Sequence, residues 1–199
     1  MTSPFPARLV VLRHAKSAWP PDVPDHERPL AKRGRRDAPA AGRWLFVEGC
    51  VPDFVLCSTS RRTRETWGLV APELGGRPEV VFEPRVYGAS AAELLDVLRE
   101  VPEQRRTVLL IGHQPGVQDV VLSLAETEES GGAGEGAGEG EGAVEGEGGV
   151  GGEALARVRA KFPTAGVAVL ALSGAWADLA PGTAGLTHFA VPRGEAPGK

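Results

Sequence analysis

Residues 9–12, Leu-Val-Val-Leu, make an apolar run that is β-branched at its centre. Four residues are too few for a helix, and apolar character at every position leaves no polar face, so the run reads as a buried strand. Such runs recur at 54–57, 79–82, 107–111 and 167–172. Between them lie stretches of helical character. Residues 32–47 carry Ala38, Ala41, Trp44 and Leu45 on an inward face, with Pro39 in an early turn or at a kink and Gly49 as the stop. A helix over 61–70 follows Ser58, Thr59 and Ser60, any of which suits its cap. Residues 91–101 place Leu94, Leu95, Leu98 and Val101 at helical spacing behind a Ser90 cap. A helix after Pro115 carries Val117, Val120, Val121 and Leu124, and a short helical piece spans 154–161. Trp176 and residues 186–191 predict a last edge or hairpin pairing. Strands alternating with helices predict a layered α/β fold.

The chain of 199 residues is 42% hydrophobic with a formal charge of −4. Those values suit one globular domain able to bury a core without staples. From about 127 to 153 the composition collapses to glycine and glutamate, more than half glycine over 131–152, and predicts a disordered acidic insert in that single domain 1–199. No basic stripe points to nucleic acid, and no polybasic amphipathic segment points to a membrane. Cys50 and Cys57 form neither a disulfide framework nor a metal spacing, and Cys57 reads as a small buried hydrophobe. No signal peptide is read at the N-terminus, no run approaches the ~20 apolar residues of a membrane span, and a cytoplasmic monomer is expected.

The first strand runs straight into Arg13-His14, and the strand at 107–111 runs into Gly112-His113. Neither strand has a packing reason to end so, and in α/β sheets ligands gather beyond the carboxyl ends of strands. A third strand end leads to Arg61, Arg62 and Arg64 in the first turn of a helix, where the helix dipole disfavours cations unless an anion visits. One of these arginines is expected to hold that anion and two to be solvated. Two imidazoles and two guanidiniums, with no matching carboxylates at the strand ends, suit a phosphate dianion. Zinc is the competing occupant of two histidines, but no third Cys, Asp or Glu stands at a corresponding strand end, and the arginines disfavour a cation.

Leu12-Arg13-His14-Ala15 resembles the Arg-His-Gly signature of the histidine phosphatase (phosphoglycerate-mutase-like) superfamily, with alanine in the glycine position. Asp25-His26-Glu27-Arg28-Pro29-Leu30 with Gly34 is similar to the next segment of its short bacterial members. Residues 58–66, Ser-Thr-Ser-Arg-Arg-Thr-Arg-Glu-Thr, resemble its phosphate-arginine block, and Gly112-His113-Gln114-Pro115 its second-histidine block. Residues 162–166 resemble a late segment of SixA-type phosphohistidine phosphatases. The resemblance implies a three-layer α/β/α sandwich around a mainly parallel mixed sheet. It implies a cofactor- and metal-independent phosphatase in which His14 is the nucleophile and Arg13, Arg62 and His113 are catalytic groups that also bind substrate.

Ser17 is a further candidate for substrate contact. Gln114 stands where acid phosphatases of the family carry their acid, which leaves Glu83 as the stand-in general acid. Without a strong acid, phosphohistidine in a protein is the favoured substrate, because its leaving group needs little help. The alternatives are a small phosphate ester, such as a nucleotide or sugar phosphate, and a non-catalytic phosphate-binding module. His26 is expected to be exposed and His188 to lie on an edge strand. Trp19 is expected at the pocket mouth, and Trp44, Trp67 and Trp176 in packing roles.

Overall fold

The computed structural model describes residues 6–125 and 149–195. Its parallel strands are β1 (Arg8–Arg13), β2 (Phe54–Ser58), β3 (Glu79–Glu83) and β4 (Thr107–Gly112). The antiparallel hairpin β5 (Val167–Leu172) and β6 (Ala184–Ala190) completes a six-stranded sheet of order β3-β2-β4-β1-β5-β6. The mixed, mainly parallel sheet is therefore the one expected.

Alternation along the strands divides the core. On one face Leu9, Val11, Leu56 and Leu110 pack against α3 (Ala91–Arg99), α4 (Gly116–Ala125) and α5 (Gly149–Ala160). On the other, Val10, Leu12, Cys57 and Ile111 pack against α1 (Lys32–Val47) and α2 (Arg61–Val70). Leu9, Val10, Val11 and Leu12 are all fully buried, as a central strand covered on both faces requires.

Several local readings sharpen. Pro39 sits mid-way along α1, and the helix runs on through it. Ser90 caps α3 through a complete capping box with Glu93. That helix stops at Arg99, not Val101, because Glu100 and Val101 donate three residues back, to Val97 and Leu98. Helix α5 starts five residues before the expected Ala154, so residues 149–153, read as part of the insert, are helical. The rest of the expected insert, to 148, lies outside the described residues. No described helix is long and apolar enough to cross a membrane.

The parallel direction of β1, β2 and β4 brings their carboxyl ends to one edge of the sheet. Gly34 of α1 packs against the chain just beyond β1, so closely that a Cβ there would stand 2.2 Å from the Lys16 carbonyl oxygen.

Candidate active site

His14 leaves β1, His113 leaves β4, Ser58 ends β2 and Arg62 is the second residue of α2. Their side chains meet. The two imidazole centroids are 5.2 Å apart with the rings tilted by 53°. His14 is 8% exposed and His113 9%.

Hydrogen bonding sets the tautomers. The His14 Nδ1–H donates to the Ala15 carbonyl at 2.7 Å, since a carbonyl can only accept, and this leaves Nε2 with its lone pair. At His113, Arg62 Nη2 lies 3.3 Å from Nδ1. A guanidinium can only donate, so Nδ1 is the acceptor and the Nε2–H donates to Ser58 Oγ at 2.8 Å. Burial, reinforced by His113, Arg62 and Arg13, pushes His14 down to about 3, despite the opposing Ala15 hydrogen bond. Burial and then Arg62 take His113 down to about 4. Both rings are neutral at physiological pH, as a nucleophilic imidazole must be.

The backbone around His14 is held from two sides. Ala15 N–H donates to Thr66 Oγ1 at 3.0 Å. Ala165, with φ of 59°, points its N–H at the carbonyls of both Arg13 and His14. Ala15 itself has no left-handed backbone, so its position tolerates a side chain. Arg13 Nη1 donates to the Phe162 carbonyl at 2.7 Å, while its buried Nε has no partner. An unpaired guanidinium N–H beside two neutral imidazoles is a donor that an oxyanion can satisfy.

The sequence reading expected no carboxylate among these cations. The structure corrects it with Asp25, carried over the site by the proline-rich loop. Arg62 Nη1 donates to the Asp25 carbonyl at 2.6 Å and Nη2 to its Oδ2 at 3.0 Å. Tyr87 Oη donates to Oδ2 at 2.7 Å and Arg28 Nη1 to Oδ1 at 2.8 Å. Tyr87, Arg28 and Arg62 hold this carboxyl well below the usual range. The Tyr87 ring also packs edge-on to His113, at 5.4 Å between centroids. Asp25, Arg28, Ser58 and Tyr87 are thus neighbours of the site to which the sequence reading gave no role there, the first three having entered it only within family-like segments. The signals were faint: an Asp and an Arg in a loop, a serine read as a cap, and the only tyrosine of the chain.

Of the other candidates, Ser17 is buried beside the site, and its Oγ accepts from Arg28 Nη2 at 2.6 Å. Arg61 and Arg64 point outward, to Glu65 at 2.8 Å and Glu27 at 3.9 Å. Glu83 is committed elsewhere. Its carboxylate accepts from the Arg85 N–H at 2.9 Å and the Arg85 guanidinium at 3.0 Å, which hold it below the usual range. It lines a depression with Phe54, Leu56 and Val97, and a carboxylate so engaged is a poor proton donor. Gln114 spends its amide on Gln118 of α4. His26 is half-exposed and bonded to Glu27 and Thr59. His188 lies on edge strand β6, its ring against Trp44. Among the described residues no three His, Cys, Asp or Glu side chains are grouped to hold a metal ion.

Comparison with known proteins bears on this geometry. The model of the histidine phosphatase superfamily (branch 1) matches residues 9–106. An uncharacterised protein of Mycobacterium tuberculosis is 36% identical over 182 residues, 92% of this chain and all of the relative. Among solved structures, a candidate phosphohistidine phosphatase SixA from Nakamurella multipartitia is 32% identical. It superposes with a TM-score of 0.72 over 94% of this chain and 96% of its own. A candidate SixA from Agrobacterium tumefaciens is 25% identical, with a TM-score of 0.70 over 94% and 99%.

Proposed function

Because the chain belongs to the histidine phosphatase superfamily, we propose that it removes phosphate from phosphohistidine in a protein through a phosphohistidine intermediate on His14. The observation that carries the mechanism is the His14 tautomer. With Nδ1–H donating to Ala15, the Nε2 lone pair is the reactive one. Attack forms the bond from Nε2 to phosphorus and breaks the substrate's bond from phosphorus to nitrogen. A substrate phosphoimidazole protonated on its distal nitrogen departs as neutral imidazole, so no enzyme acid is required. The phosphorylated His14 ring is then cationic, and its Nδ1–H to the Ala15 carbonyl stabilises that charge. Water next forms the new bond to phosphorus, His14 leaves as neutral imidazole, and the products are phosphate and a proton. Arg13, Arg62 and the Arg62-supported His113 surround the transferring group, where stabilising its charge is the main catalytic task.

The substrate preference rests on the lack of a free acid at the site among the described residues. Glu83 is held by Arg85, Gln114 is an amide, and Asp25 is held ionised by Tyr87, Arg28 and Arg62. An alkoxide leaving group is handicapped by this set, and an imidazole is not. The test is phosphate release, in EDTA, from a phosphohistidine-bearing protein and from p-nitrophenyl phosphate in parallel. Fast release from the first and slow release from the second is expected, and His14→Ala abolishes both. Equal or faster ester turnover would overturn the preference in favour of small phosphate esters. Full activity in His14→Ala would overturn the nucleophile.

A further inference from the structure

We infer that Trp19 and the rigid loop presenting it form the docking surface for the protein substrate, taking an apolar side chain beside the phosphorylated residue; this rests on the function proposed above. Trp19 is 74% exposed, whereas Trp176 is 1% exposed and Trp44 and Trp67 are partly buried. One face of the Trp19 ring is covered by the Arg28 guanidinium, 3.0 Å from the ring centre. Arg28 is itself buried, with Nε donating to the Ala18 carbonyl, Nη2 to Ser17 Oγ and Nη1 to Asp25 Oδ1. The indole is therefore pinned on one side and open on the other.

The loop is braced by its own contacts. Its base is closed by the Ser17–Leu30 bridge and the Ala18 N–H to Pro29 carbonyl bond. Pro20, Pro21, Pro24 and Pro29 stiffen it. A large apolar ring held in place in advance makes contact at little entropic cost, which is the character of an interface anchor.

The occupant follows from position. Arg28 stands between the indole and the site, stacked on Trp19 and bonded to Ser17 and Asp25. A lone phosphoimidazole between His14 and His113 does not reach past it. A substrate with a surface extending beyond its phosphorylated side chain does. The loop base is also anchored from α2: Glu65 accepts from Leu30 N–H and is shared by Arg61 at 2.8 Å and Arg35 at 3.0 Å.

The test compares phosphohistidine peptides whose flanking positions are Gly/Ser or carry a single Leu or Phe, with phosphoimidazole as the small control. The wild type is expected to show at least about tenfold higher kcat/KM on the best apolar-flanked peptide, expressed through KM. Trp19→Ala should erase that difference and leave phosphoimidazole turnover and Tm nearly unchanged. No apolar preference in an active wild type, or a preference surviving in Trp19→Ala, overturns the inference alone. An equal loss on phosphoimidazole also overturns it, since the ring would then serve the pocket. A wild type inactive on every probe overturns the proposed function with it.

Discussion

Acidification from pH 7 to pH 5 separates two properties that usually fall together. At pH 5 an ordinary imidazole is only about 3% neutral, whereas one titrating near 3 stays about 99% neutral, a difference of roughly 30-fold in competent nucleophile. His14 sits at about 3, so kcat/KM per folded molecule should hold across this range. Stability should not. The folded-state values of His14 and His113, about 3 and about 4, lie below that of an unfolded-chain imidazole. Between pH 6.5 and pH 4 the unfolded chain therefore binds more protons. Their stabilising contribution is complete above about pH 6.5 and falls by about 1.4 kcal/mol per histidine per pH unit below it, to a combined loss of about 4 kcal/mol at pH 5. The assay is kcat/KM from about pH 4.5 to 7.5, corrected for substrate ionisation and for the folded fraction from near-UV circular dichroism, beside urea midpoints at each pH. An acid limb centred near 6.5 with the folded signal intact would refute the reasoning, because it would mean that His14 is solvated in the free enzyme.

Other outcomes follow from single contacts. Ser58→Ala leaves the buried His113 Nε2–H without its acceptor, at a cost of about 1–3 kcal/mol, and should lower kcat/KM about tenfold or more in the phosphate-release assay. Asp25→Ala frees Arg62 from its ion pair and should reduce kcat/KM by about tenfold. The change in Tm should be small, since that carboxylate is half-exposed. Gly34→Ala drives a methyl group into the Lys16 carbonyl and should destabilise the fold by about 2–3 kcal/mol in urea unfolding.

The strands and most helices were legible because each carries its own period: apolar runs for β1 and β4, helical spacing for α3 and α4. The paired imidazoles were legible because strand ends in such sheets share one edge, so His14 and His113 could be placed together before any distance was known. Arg62 could be separated from Arg61 and Arg64 only through the resemblance of residues 58–66 to the family's phosphate-arginine block, since all three stand at the start of one helix. What stayed hidden lies in segments without periodicity. Asp25 and Arg28 reach the site through a loop closed by proline and backbone contacts, and no local pattern specifies where such a loop returns. Tyr87 arrives on a 3-10 turn after β3. Glu83 stood at a plausible strand end, but Arg85, two residues on, was the nearer partner for its charge.

The two ends of helix α4 separate chemistry from surface. Helix α4 begins beside His113 and runs ten residues away from it, about 15 Å at the helical rise. Near its far end the Ser123 carbonyl accepts from Gly182 in the β5–β6 turn. Helix α5 makes the return journey and delivers Phe162, whose carbonyl holds Arg13. The far end of α4 and the start of α5 thus share the pole opposite the imidazoles. The helix ends at that pole are therefore the part of the described fold where sequence can change with least effect on the two imidazoles, a helix length away.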